Sequence, residues 1–238
     1  MRLVAMEKLV YILWKPESAV AADWASELRS ETADRLEAGG AQRLRVNVID
    51  EHVAEGGAVS VGRMRPAKSG MISCWLEVSD DRAALDAEIA RVTERFACYL
   101  VVESRPLTFD QSDTRRGDRT PGFNFVSCIV PKADMAYSDF LEHWYTTHRR
   151  AAIETQSTFT YVRNEIVRGL SPDAPEWVAV VEEAFPLAAM TDPGVFFASG
   201  GDAAVLEAHR KQMVTSVLAF LDLSLVESHP MSEYIFAP

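Results

Sequence analysis

Apolar residues recur along this chain in two rhythms. Leu44, Val46 and Val48 alternate with Arg43, Arg45 and Asn47, which predicts a half-buried strand over 43–53. Val20, Trp24, Leu28 and Leu36 recur at helical spacing after Ser18, and Gly39-Gly40 supplies the stop. Further strands are predicted over 8–14, 71–78 and 99–103, and a second helix from Asp80 buries Leu85, Ile89, Val92 and Phe96. The order is β-α-β-β-α-β, a split βαβ unit. Residues 105–121 are polar, rich in Arg and Asp, and read as a linker. The order then repeats. A strand over 123–130 stops at Pro131, and a helix runs through Trp144 to about Ile153. Strands over 159–167 and 177–185 follow, then a helix capped by Asp202 with Leu206, Met213, Val217 and Phe220 facing in, and a closing strand at 234–236. The fold class is therefore α+β, with two modules, 1–104 and 122–238, of about 110 residues each.

The chemistry concentrates in the second module. Phe140, Trp144 and His148 are four apart and share one helix face. An imidazole titrates near neutral pH and is a ready general acid or base; the alternative is a histidine satisfied by a backbone carbonyl. His143 and His148 are five apart, about 140° around an α-helix, and cannot ligate a metal as an i, i+4 pair would. In the strand 159–167, Tyr161, Arg163 and Glu165 oppose Val162, Asn164 and Ile166. One face packs on helices and the other lines an enclosed space; Tyr161 and Arg163 are the polar candidates for the lined face, and Asn164 shares the apolar parity. Glu182 and Glu183 interrupt an apolar strand, so one must point inward, where burial raises a carboxyl pKa; a salt bridge to an Arg such as Arg163 is the equally weighted alternative. His148, Tyr161 and Glu182 form a candidate proton-transfer set, with Trp144, Arg163 and Asn164 as substrate-binding walls. In the first module Trp24 matches Trp144, and Leu28 stands where His148 does, so the second module is expected to hold the site.

Phe140-x-x-x-Trp144-x-x-x-His148, with a strand ending in Pro131 before it and Tyr161-Val162-Arg163-Asn164 after it, resembles the EthD family of the dimeric α+β barrel superfamily. The resemblance covers about the C-terminal half. It implies two ferredoxin-like units in tandem, packed sheet to sheet around a barrel, with the N-terminal unit a structural partner. It also implies a cofactor-independent lyase or isomerase, of decarboxylase, dehydratase or cyclase type. Its substrate would be small, apolar, and aromatic or polyketide-like, with His148 as general acid or base and no metal. Two alternatives remain at this point: a binding protein for an apolar small molecule, and a haem barrel ligated through a helix histidine.

Composition narrows the partners. The net charge of −11 repels nucleic acid and anionic membranes, which leaves a small-molecule substrate and allows a homodimer. Cys74, Cys98 and Cys128 are three, without C-x-x-C spacing, and read as buried reduced thiols of a cytoplasmic protein. Met1 to Val10 contains Glu7 and Lys8 and no long apolar run, so no leader or membrane span is expected.

Overall fold

The computed structural model describes residues 6–236; Met1–Ala5, part of the segment expected to lack a leader, lie outside them. The N-terminal half contains β1 (Glu7–Trp14), α1 (residues 21–38), β2 (Gln42–Val48), β3 (Gly70–Leu76), α2 (Ala83–Val92) and β4 (Arg95–Leu107). A two-residue strand follows, β5 (Asp118–Arg119). The C-terminal half contains β6 (Phe123–Ile129), α3 (residues 137–155), β7 (Thr160–Gly169), β8 (Ala179–Phe185), the short α4 (Pro193–Phe196), α5 (Ala203–Phe220) and β9 (Glu227–Ile235).

In the first half β1 lies between β3 and β4, and β2 pairs with β3. In the second half β6 lies between β8 and β9, and β7 pairs with β8. The spatial orders, β2-β3-β1-β4 and β7-β8-β6-β9, are the same. The expectation of two separate sheets stacked face to face is corrected: the sheets join edge to edge, β4 with β7 and β2 with β9, all antiparallel. These two seams close eight strands into one barrel. Closure gives the outer backbone groups of β2, β4, β7 and β9 partners that two open sheets would leave unpaired.

Alternation along the strands divides the core. Val10, Ile12 and Trp14 of β1 point into the barrel and meet Met71, Tyr99, Val126, Cys128, Val180 and Met231 there. Leu9, Tyr11 and Leu13 point out, against Trp24, Leu28 and Leu36 of α1 and Leu85 and Ile89 of α2. In the second half Ile129, Tyr161 and Val181 point out, against Phe140 and Trp144 of α3 and Met213 and Phe220 of α5. Each such side chain, fully buried, contributes roughly 1.5–3 kcal/mol.

The two long helices are built alike. α1 is α-helical over Ala21–Glu27, makes a π turn over Leu28–Thr32 and resumes over Ala33–Ala38. α3 is α-helical over Tyr137–His143, makes a π turn over Trp144–His148 and resumes over Arg149–Thr155. Aligning the two turns matches Trp24 with Phe140, Leu28 with Trp144 and Thr32 with His148. The expected matches of Trp24 with Trp144 and Leu28 with His148 are therefore four residues out.

Other boundaries also move. β2 ends at Val48, because the Asp50 carboxylate accepts from the His52 N–H and starts a 3-10 segment, Glu51–Ala58. β4 runs through Leu107, which pairs with Tyr161, so the seam consumes the first residues of the expected linker. β9 starts at Glu227 instead of Tyr234. The cap at Asp202 is formed: its carboxylate accepts from the N–H groups of Ala204 and Val205. Cys74, Cys98 and Cys128 are buried thiols. Among the described residues no helix is long and apolar enough to cross a membrane.

Candidate functional site

A mostly apolar cavity of about 270 Å3 lies between the outer wall of the C-terminal strands and the helices α3 and α5. β6 supplies Phe125, Ser127 and Ile129, and β8 supplies Val181 and Glu183. Trp144 and His148 of α3 face Met213, Val217 and Phe220 of α5 across it, and Gln156, just past α3, also lines it. The cavity is outside the barrel; inside, apolar side chains pack around Val10, Ile12 and Trp14, and a polar pocket of only about 30 Å3 is lined by Arg45, Asn124, Glu182 and Glu233. Tyr161 and Arg163 therefore face the helices and not a barrel lumen, which reverses the expected assignment of the two faces of β7.

His148 is held from behind. The π turn takes up the five-residue step from His143, so both imidazoles meet the same residue of α5 instead of diverging by 140°. His143 Nε2 lies 3.1 Å from the Ser216 carbonyl and 3.4 Å from the Ser216 Oγ; His148 Nδ1 lies 3.1 Å from that Oγ. A carbonyl only accepts, so His143 carries its hydrogen on Nε2. We assign the Ser216 hydroxyl as the donor to His148 Nδ1, which leaves the hydrogen of neutral His148 on Nε2. Burial, and secondarily the nearby His143, lowers the His148 pKa to about 4. At neutral pH this residue is an uncharged N–H donor and a poor proton acceptor.

The titrating group is Glu183. It lines the cavity, its Oε1 is buried without a hydrogen-bond partner, and burial raises its pKa to about 7. The Gln156 Oε1 is likewise buried without a partner. Glu182, the expected acid, is not part of this group. It points into the barrel, accepts from Asn164 Nδ2 at 2.9 Å and lies 3.6 Å from Lys8 Nζ. His148 and Tyr161 are thus on one side of the sheet and Glu182 on the other.

The remaining expected residues divide in the same way. Trp144 lines the cavity and donates from Nε1 to the Tyr161 hydroxyl at 2.8 Å, a bond that ties α3 to β7. Burial raises the Tyr161 pKa far above its usual value, so the phenol stays neutral. Arg163 sits beside them, its guanidinium 3.8 Å from the Tyr145 ring centre, with Nε donating to Ser104 Oγ at 3.0 Å. Asn164 is inside the barrel, where it accepts from Lys8 Nζ at 2.7 Å. Sequence reasoning passes over Gln156, Ser216 and the choice of Glu183. The missing signal is register: Glu183 pairs directly with Tyr161, which places both on one face. Among the described residues no three His, Cys, Asp or Glu side chains gather as metal ligands.

No family model matches the chain, and no curated protein does. Its fold does have solved counterparts. A proposed monooxygenase from Fusobacterium nucleatum subsp. nucleatum superposes with a TM-score of 0.51 at 10% identity, covering 99% of this chain and 94% of that one. An anthrone oxidase-like protein superposes with a TM-score of 0.53 at 8% identity, covering 98% and 94%. The fold is that of a dimeric α+β barrel, closed here within one chain. A mutant chlorite dismutase from Candidatus Nitrospira defluvii lies further off, with a TM-score of 0.48 at 8% identity over 95% of this chain and 90% of that one. The names of the first two barrels are oxidative, and neither is a lyase or isomerase. The expected lyase or isomerase chemistry through His148 is corrected on that finding, and the pKa of His148 removes its acid–base rationale.

Proposed function

We propose that the cavity is the active site of an oxidative enzyme acting on a small, mostly apolar molecule. The observation that carries this is the Glu183 carboxyl: buried, unpartnered at Oε1, and poised near pH 7 beside apolar walls. Such a group takes a proton from an activated C–H or O–H at neutral pH. The names of the two similar barrels supply the reaction class, and fold likeness alone would not. For a CH2 carbon between acidifying groups, loss of a proton to Glu183 leaves a carbanion that dioxygen can capture. Loss of water then gives the carbonyl: R2CH2 + O2 → R2C=O + H2O, with no external electron donor. His148 Nε2–H stabilises the developing oxyanion, and Trp144, held by Tyr161, forms the wall against which the molecule lies. Arg163 braces Tyr145 and Trp144, whereas Glu182 and Asn164 hold the barrel together.

On this reading the chain consists of two ferredoxin-like modules, 1–104 and 122–238, joined by 105–121. The matched strand orders and matched π turns support it. Within the superfamily we place the chain near the EthD proteins on Phe140, Trp144 and His148, and a homodimer fits its apolar surface residues. The test is dioxygen uptake with a panel of small molecules bearing an acidic CH2. One dioxygen consumed per carbonyl formed, lost in Glu183→Gln with ligand affinity retained, supports the reading. An unchanged rate in that variant, or binding without uptake across the panel, sinks it.

A further inference from the structure

We infer that the molecule held in this cavity is a neutral amphiphile, with a hydroxyl at its buried end and an apolar chain that runs out across the rim. The inference rests on the reading of the cavity as the substrate site and goes on to name the substrate's shape and charge.

The buried end fixes the head group. Glu183 and Gln156 each present an Oε1 with no partner, and His148 presents its Nε2–H. A hydroxyl can donate its one hydrogen to either Oε1 and accept from His148, which no purely accepting or purely apolar group can do. A carboxylate or phosphate head is disfavoured. No Lys or Arg is among the lining residues, and an anion would meet Glu183 in a desolvated site.

The open end fixes the tail. At about 270 Å3 the cavity falls just short of the roughly 300–1,000 Å3 typical of ligand sites. Its lining continues outward through Val61, Val214, Leu218 and Leu223, which are 42–49% exposed, between Leu223 at 42% and Leu218 at 49%. Val214 and Leu218 are four apart on α5 and form one ridge leading away from the cavity. Large aliphatic side chains half in water around an opening mark a surface that is covered in use. Their continuity with the cavity wall makes the emerging part of the same molecule the cover.

The experiment is titration calorimetry of the full chain at pH 7 with 4-alkylphenols from ethyl to octyl, and with alkylbenzenes and 4-alkylbenzoates of the same chain lengths. Phenol affinity is expected to rise about fourfold per added methylene as the chain crosses the rim. The alkylbenzenes and benzoates are expected to bind at least about tenfold more weakly. Leu218→Ser and Leu223→Ser should flatten the rise and leave 4-ethylphenol unchanged; both sites are already half exposed, so the fold tolerates them. A flat dependence on chain length, or benzoates binding as well as phenols, overturns the inference and leaves the cavity as a ligand site. Binding by none of the three series overturns both. Sedimentation of the same variants covers the remaining occupant. If the wild type is a dimer that Leu218→Ser dissociates, with chain-length dependence unaltered, the rim belongs to a second copy and the inference fails.

Discussion

Glu182 and Glu183 are consecutive in β8 and point to opposite sides of the barrel wall. Glu182 sits inside with Lys8, Asn124 and Asn164 around it, and Glu183 sits outside with its Oε1 unpaired. Two identical side chains therefore have two surroundings, one fully partnered and one with a bare oxygen, and the two are separable by substitution.

For Glu183 the sign of the pH effect comes from its raised pKa. Between the ordinary value of 4.5 and about 7 the folded protein keeps a proton that the unfolded chain has lost. Stability therefore falls as pH rises through that window, by roughly 3 kcal/mol in total. Glu183→Gln should abolish that loss: little change at pH 4 and a clear gain at pH 8. Urea unfolding of both proteins across pH 4–8 measures it, and parallel curves would mean the carboxyl is not buried as described.

Glu182→Leu leaves Lys8 with Glu103, at 2.5 Å, as its remaining carboxylate partner in a desolvated barrel. The expected destabilisation is about 3 kcal/mol, the low end for breaking a buried pair. Ligand affinity at the outer cavity should not change. Loss of binding in a variant that still melts cooperatively would place Glu182 in the site after all.

His148 carries the opposite pH signature. Its folded pKa of about 4 lies below the ordinary 6.5, so the unfolded chain binds the extra proton first as pH falls. Stability present above pH 6.5 is lost progressively down to pH 4, by roughly 3 kcal/mol. His148→Gln should remove most of that acid sensitivity; the part due to His229, also lowered to about 4, should remain. Ser216→Ala should change the His148 tautomer, visible in its ring 15N shifts, at a cost of about 1 kcal/mol. An unaltered tautomer would show that Ser216 does not set it.

The bond between Trp144 and Tyr161 should appear as coupling. Trp144→Phe and Tyr161→Phe each strand a buried polar partner and should cost about 1–3 kcal/mol, and the double variant should cost less than their sum. Additivity within error would leave the 2.8 Å contact as packing alone.

Much of this fold is legible in residue patterns. The cap at Asp202 is legible because a short acceptor side chain before an apolar helix has one common use. The two faces of β7 are legible as faces, since alternation separates Tyr161 and Arg163 from Val162 and Asn164. Which face meets the helices is not, because alternation has no sign, and in β8 both parities are apolar until Glu182. The π turns are hidden as well. One extra residue in a turn leaves the apolar spacing of Phe140 and Trp144 intact and only re-aims the residues after it, His148 above all. The start of β9 is hidden because Glu227, Ser228, His229 and Pro230 look like a loop and become strand only through pairing with β6.

The seams β4–β7 and β2–β9 bear on symmetry. A ring closed by two identical subunits has a true twofold axis, so each cavity occurs twice and each substitution is made in duplicate. Closed within one chain, the ring has only an approximate axis. Thr32 occupies in α1 the place that His148 occupies in α3, and a change at either leaves the other untouched. On the function proposed above, the N-terminal wall is free to serve rigidity, while the opposite wall holds the one chamber.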